Sequence, residues 1–135
     1  SIEKVRVLGP VRKNTQVEIS RTDTFVLKVS PPVRPSGEIE GSEKIVIVGP
    51  KGTVYLKQGV IIANRHIHLT PEYAEKHGIK DNEYVDVLID SIKPTKYFDV
   101  QVRIRDDFNV EMHIDTDDAN SAGIKNGDKV TIIKK

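Results

Sequence analysis

Residues 66–87 read HIHLTPEYAEKHGIKDNEYVDV and residues 111–132 read EMHIDTDDANSAGIKNGDKVTI, an internal repeat with an offset of 45 residues. His66-Ile67-His68-Leu69 matches Glu111-Met112-His113-Ile114, and Ala74 matches Ala119. Gly78-Ile79-Lys80 then matches Gly123-Ile124-Lys125, and Val85-Asp86-Val87 matches Val130-Thr131-Ile132. Each copy reads as strand, short helix, Gly-Ile-Lys, polar turn and strand. Thr70-Pro71-Glu72 supplies the helix start in the first copy: a hydroxyl N-cap, proline in the first turn and an acid beside the positive end of the helix dipole. Gly78 ends that helix, and a second short one is expected near Asp117–Ala122. Two copies are too few for a solenoid. They suit a pseudo-symmetric, double-psi-like β-barrel in which two strand–helix–strand motifs interlock.

Working outward, most of the chain is punctuated as short strands. Ile2–Leu8 is β-rich and stops at Gly9-Pro10; Thr15–Ile19 alternates; Thr24–Val29 is another strand candidate. Ser30–Gly41 holds three of the seven prolines and reads as a loop. Ile45–Val48 and Thr53–Leu56 flank the turn Gly49-Pro50-Lys51-Gly52, a hairpin signal. Val60–Ala63, Tyr84–Ile89, Tyr97–Ile104, Val110–Ile114 and Lys129–Ile133 complete the strands. The expected fold class is mostly β, with small double-psi-like β-barrels and short capping helices. Two segments are expected, residues 1–60 forming a central barrel segment and residues 61–135 a C-terminal barrel segment with the histidines.

Composition removes several function classes. The chain has 135 residues, 37% hydrophobic and 30% charged, as a globular protein does. Lys and Arg number 21 against 20 Asp and Glu, so the formal charge of +1 argues against a dedicated nucleic-acid or membrane-surface binder. Aromatic residues make up 5% with no Trp, leaving few stacking platforms for bases. No apolar run approaches the roughly 20 residues of a bilayer span, and no signal-peptide pattern opens the chain, so a cytoplasmic protein is expected. The absence of cysteine excludes disulfides, thiolate nucleophiles and Cys-type zinc sites. Any metal must be held by His, Asp or Glu, and only four His exist.

In a strand, residues i and i+2 project from the same face. His66 and His68 therefore point together, either as two imidazoles reaching one metal or as a half-exposed surface pair. Glu111 and His113 occupy the equivalent positions of the second copy, and strands so related can meet across a barrel. His113 is then either a further ligand or a hydrogen-bonded rim residue, while Glu111 reads as a supporting or surface group. Glu18 is a candidate carboxylate ligand, the alternative being a solvated strand carboxylate. His77, at the end of a short helix, reads as a solvent residue favoured by the helix dipole. Arg12, Asn14, Gln16 and Glu18 share a face if their segment is extended, which suits an oxyanion such as phosphate or, more blandly, a solvated edge strand. Gly49-Pro50-Lys51-Gly52 lacks the spacing and following helix of a phosphate loop.

Several longer motifs together carry a family resemblance. Leu8-Gly9-Pro10-Val11-Arg12-Lys13-Asn14-Thr15-Gln16-Val17-Glu18-Ile19-Ser20, Pro32-Val33-Arg34-Pro35-Ser36-Gly37 and Val48-Gly49-Pro50-Lys51-Gly52 resemble, in order, the microcompartment-type phosphotransacylases, the PduL-like phosphate propanoyltransferases. So do Asn64-Arg65-His66-Ile67-His68-Leu69 and Glu111-Met112-His113-Ile114-Asp115-Thr116-Asp117. The likeness covers nearly the whole chain. It implies a two-barrel fold and a zinc-dependent transfer of a propanoyl or acetyl group between coenzyme A and inorganic phosphate, in propanediol degradation. By the resemblance, Glu18, His66, His68 and His113 are metal ligands. Arg12 and Arg103 are the catalytic arginines around the phosphate, with Gln16 and Ser36 lining the same pocket. Arg6, Leu8, His113 and Asn120 match positions that contact coenzyme A.

The family carries an earlier barrel strand with its own His-x-His, and nothing before Arg12 supplies it here. The chain accordingly reads as a C-terminal portion, with one barrel incomplete and an unpaired edge that an N-terminal segment or a second copy would fill. Acyl-CoA and phosphate are the expected partners, with no nucleic acid or membrane, and the microcompartment lumen is a second expected location. Two other functions fit the same residues. A metal-dependent acyl-CoA hydrolase would use the ligands to activate water, and a non-catalytic barrel fragment would only assemble with a partner chain.

Overall fold

The computed structural model describes residues 1–135, and the chain is mostly β with three short helices. It divides into two compact units, Ser1–Ala63 and Asn64–Lys135. No helix is long and apolar enough to cross a membrane.

The first unit is organised on one long strand. Its elements are β1 (Val17–Glu18), α1 (Arg21–Leu27), β2 (Val33–Arg34), β3 (Glu43–Gly49) and β4 (Gly52–Ala63). The expected hairpin forms: β3 and β4 pair antiparallel, with Val48 opposite Thr53 and Gly49 opposite Gly52. The far end of β4 gains further partners, pairing in parallel with β1 through Val60 and Ile61 and with β2 through Ile62 and Ala63, while Glu43 of β3 still lies opposite Val60. Val60 and Ile61 are fully buried there. Gly59 stands just before the parallel pairings begin. Its φ is +135°, and a Cβ would lie 2.7 Å from the Thr15 carbonyl oxygen, so only glycine lets the two backbones approach.

Two strand expectations in this unit fail. Thr24–Val29 belongs mainly to α1, despite its β-branched residues, because Ser20 caps the helix. The Ser20 hydroxyl accepts from the Asp23 N–H at 3.2 Å, and the Asp23 carboxylate accepts from the Ser20 N–H at 2.9 Å. This reciprocal capping box satisfies two donors that the first helical turn would otherwise leave unpaired. Thr24 also turns its hydroxyl back onto the Arg21 carbonyl at 2.6 Å. Ile2–Leu8 forms no strand, since a strand requires a ladder partner and Val7 is 93% exposed.

The second unit follows the repeat closely. It contains β5 (His66–Leu69), α2 (Pro71–His77), β6 (Tyr84–Ile89), β7 (Thr95–Ile104), β8 (Glu111–His113), α3 (Thr116–Ala122) and β9 (Thr131–Ile133). Its five-stranded sheet runs in the order β8-β5-β7-β6-β9, curling as half of a barrel. Both helices have side-chain N-caps, Thr70 accepting from Tyr73 N–H and Asp115 from Asp118 N–H. Both end in a left-handed glycine, Gly78 at φ +64° and Gly123 at φ +65°. Strand pairing carries the repeat into three dimensions. In β5–β8, Ile67 faces Met112; in β6–β9, Val87 faces Ile132. Each pair is separated by the repeat offset, 112 − 67 = 132 − 87 = 45, so both antiparallel pairs are centred on one pseudo-two-fold axis.

The core of this unit includes Ile67, Leu69, Ile79, Val85, Val87, Ile89, Val100 and Val102. Burying each such side chain contributes about 1.5–3 kcal/mol. Tyr97, Arg65 and Asp118 tie α3 to the sheet: the Tyr97 hydroxyl donates to the Asp118 carbonyl at 2.8 Å, and Arg65 pairs with the Asp118 carboxylate at 3.0 Å while lying over the Tyr97 ring. At the β6–β7 bulge between Val85 and Val87, the buried Asp86 accepts from the Asp99 N–H at 3.2 Å and pairs with Lys96 at 3.3 Å.

Candidate functional site

The pairing of β5 with β8 decides what the histidines can do. His66 lies directly opposite His113, and His68 directly opposite Glu111. Opposed residues of an antiparallel pair share a face, as do residues i and i+2 along a strand. All four side chains therefore stand on one face, while Ile67 and Met112 turn to the core. The His66 ring lies 5.1 Å from both the His68 and His113 rings, and His68 and His113 are 4.2 Å apart. Ligand atoms of His68, Glu111 and His113 fall within 4.8 Å of one another.

This donor set fits a divalent transition metal. A tetrahedral site places its donors about 3.4 Å apart, and imidazole with carboxylate is a usual combination. His66 donates through Nδ1 to the Asn64 carbonyl at 2.8 Å, the kind of outer hydrogen bond that orients a metal-binding imidazole. His68 is held neutral. Burial, reinforced by the positive charges available to His113, His66, Arg103 and Arg105, pushes its pKa down to about 4. A neutral imidazole has a lone pair ready for a cation, with no proton to displace. Phe108 stacks on its ring at 3.8 Å, and the Arg105 guanidinium lies 5.2 Å from the centre of the Phe108 ring.

Arg103 sits on the next strand, registered beside His68 in the parallel β5–β7 pair. Its position on the same sheet face was not legible in its local sequence, because the decisive fact is strand register. Asn120 is exposed on α3, the helix that follows His113.

The first unit gathers a second set. Arg12 Nη1 donates to the Ser36 hydroxyl at 3.4 Å, and Gln16 Nε2 donates to Ser36 at 3.0 Å and to the Glu18 carboxylate at 2.7 Å. Ser36 donates to the same Glu18 oxygen at 3.2 Å, and the Gln16 carbonyl accepts from the Gly37 N–H at 2.7 Å. Arg12, Lys13, Asn14, Gln16, Gly37 and Ile39 line a cavity of about 170 Å³ beside them. That is smaller than an ordinary ligand pocket, at about 300–1,000 Å³, and of a size for a small anion. Arg6 and Leu8 lie on the exposed stretch before it, Leu8 at 75% exposure.

A local unit recurs three times around these residues. His68 lies two residues before the N-cap Thr70, His113 two before Asp115, and Glu18 two before Ser20. Each N-cap opens a helix of seven residues that closes in a left-handed residue, Gly78, Gly123 or Lys28. Glu18 thus holds in its unit the place that His68 and His113 hold in theirs. The equivalence is hidden in the sequence while α1 is read as a strand. Glu111 is the other residue whose weight the sequence understates; the β5–β8 register makes it a direct neighbour of the imidazoles.

The family of phosphate propanoyltransferases matches residues 1–125. The chain is 55% identical over 135 residues to a phosphate propanoyltransferase of Thermotoga maritima, covering 99% of this chain and 64% of the relative. It is 52% identical over 133 residues to one from Lachnoclostridium phytofermentans, with 98% and 62% covered. For one from Listeria monocytogenes the identity is 48% over 134 residues, with 99% and 63% covered. The chain therefore spans just under two thirds of the length of these relatives. With this identity sustained along nearly its whole length, the chain belongs to the phosphate propanoyltransferase family.

Proposed function

We propose that the chain takes part in the reversible transfer of a short acyl group, propanoyl or acetyl, between coenzyme A and inorganic phosphate. The observation that carries the reading is the single face bearing His66, His68, Glu111 and His113, joined to membership of a family named for phosphate acyl transfer. Zinc is the proposed metal, with His66, His68 and His113 as ligands, Glu111 as their neighbouring carboxylate, and Glu18 as a ligand by the resemblance and by its place in the recurring unit. When bound, zinc supplies Lewis acidity and positive charge to the reacting centre.

The chain's own residues account for the remaining roles. Arg12 and Arg103 present guanidinium forks that neutralise and orient phosphate, and Gln16 and Ser36 add amide and hydroxyl donors. A phosphate oxygen attacks the thioester carbonyl carbon. The new C–O bond forms first and leaves an oxyanion on the carbonyl oxygen; its collapse breaks the C–S bond, and the sulfur keeps the electron pair and takes the proton that phosphate gives up. Guanidinium donors stabilise the oxyanion that develops in between. Arg6, Leu8, His113 and Asn120 are the proposed contacts to coenzyme A. No protein nucleophile is needed, in keeping with a chain that has no cysteine. The proposed setting is the cytoplasm or a microcompartment lumen.

The test pairs elemental analysis with an assay on the full-length protein. Near-stoichiometric zinc should vanish in the His66→Ala/His68→Ala variant. Propanoyl phosphate should form from propanoyl-CoA only when phosphate is present, and Arg12→Ala should slow it by about 100- to 1,000-fold without changing the fold, since Arg12 is exposed. Free propanoate released in the absence of phosphate would refute the transferase reading in favour of a hydrolase.

A further inference from the structure

Asn64 occupies the two-residue joint between β4 and β5, and its carbonyl accepts from His66 Nδ1 at 2.8 Å. A carbonyl oxygen only accepts, so Nδ1 carries the proton and Nε2 of the neutral ring carries the lone pair. The side chain of Asn64 is held in turn. Its Nδ2 donates to Gln101 Oε1 at 3.1 Å, and Gln101 Nε2 donates to Asn82 Oδ1 at 3.2 Å. Gln101 is buried on β7, in direct register with His66. Asn82 is fixed in a left-handed turn at φ +62°, with its N–H on the Val102 carbonyl at 2.8 Å. Three amides thus run head to tail from a rigid turn to the carbonyl that orients His66. Asn64 Oδ1, moreover, is buried without a hydrogen-bond partner, a cost that a residue kept for packing alone would avoid.

We propose that Asn64, Gln101 and Asn82 form a positioning relay that fixes the tautomer and orientation of His66. The inference rests on the reading of His66 as a metal ligand, because a fixed Nδ1–H presents Nε2 to the cation. Gln101 and Asn82 act through Asn64 and touch neither metal nor substrate. Loss of such outer support typically weakens metal binding by 10- to 100-fold.

The experiment reads the ring directly. Long-range 1H–15N NMR of metal-free full-length protein, at about pH 8, above the ordinary imidazole pKa of about 6.5, should show His66 wholly as the Nδ1–H tautomer. Gln101→Leu removes both amide bonds, and Asn82→Gly removes the terminal acceptor while keeping the left-handed turn. Both should show mixed tautomers and weaken zinc by about 10-fold. Asn82→Asp, which retains the acceptor, should match the parent. A purely Nδ1–H His66 in folded Gln101→Leu and Asn82→Gly proteins would overturn the relay. Should Gln101→Leu fail to fold, Asn82→Gly at the exposed turn carries the test. If the parent binds no zinc, the metal reading fails, while the tautomer spectra still decide the relay.

Discussion

Glu111→Gln isolates the charge of one carboxylate while keeping its size. Glu111 Oε1 lies 3.2 Å from His113 Nε2, and the residue faces His68 across the strand pair. An opposite unit-charge pair about 4 Å apart is worth about 4 kcal/mol at an effective dielectric of 20 and about 1 kcal/mol in bulk water. A divalent cation doubles both figures, and because the Glu111 side chain is 52% exposed its attraction for such a cation falls at the well-solvated end, at about 2 kcal/mol. At 1.4 kcal/mol per factor of ten, that is a loss of about 30-fold in zinc affinity. The amide can still accept from His113, so thermal stability of the metal-free protein should barely move. Zinc titration against a competing chelator at fixed ionic strength reads the affinity, with Glu18→Gln measured alongside. A Glu111→Gln dissociation constant within threefold of the parent would refute the reasoning and reduce Glu111 to a hydrogen-bond partner of His113.

Three other outcomes follow from the packing and the site. Gly59→Ala must place a Cβ at 2.7 Å from the Thr15 carbonyl at a φ of +135°, and should cost about 2–4 kcal/mol in denaturant unfolding; a loss under about 0.5 kcal/mol would show that β4 adjusts freely. Asp86→Asn should lower the melting temperature at neutral pH. Burial alone would raise the Asp86 pKa, but the Asp99 N–H and the Lys96 and Lys135 ammoniums outweigh it and hold the pKa below the usual carboxylate value. A depressed folded pKa means that the stabilisation is present above the unfolded pKa of about 3.9 and is lost as pH falls through the folded one. The melting-temperature gap between parent and variant should therefore close on acidification below about pH 4. Removing the metal with a chelator should leave the core of the second unit folded by circular dichroism, since Ile67, Val85, Val87 and Val102 pack in a core to which the histidines contribute no side chain.

Most of the second unit is legible because its punctuation is strong. Thr70-Pro71 and Gly78 state where α2 begins and ends, and the repeat transfers that reading to Asp115 and Gly123. His66 and His68 are recognisable as a pair from period-two geometry alone. The first unit is less transparent. Thr24, Val26 and Val29 read as strand by side-chain type, whereas the Ser20–Asp23 capping box, worth more locally than those propensities, makes α1. Strand register is the quantity a single sequence withholds. It is register that sets Glu111 opposite His68 and Arg103 beside it, and neither neighbour follows from spacing along the chain.

The pseudo-two-fold centred on Ile67/Met112 has a chemical consequence. A duplicated ancestor with identical copies would present identical side chains about that axis, and a cation would then sit on it or bind twice. His68 and His113 retain the equivalence, but the partner position holds His66 in one copy and Glu111 in the other. One side of the axis thus carries a carboxylate and the other does not. The broken symmetry gives the ensemble a direction, drawing a cation held among the imidazoles off the axis and toward the carboxylate. A duplication that began as two equal halves would in this way become one polar site.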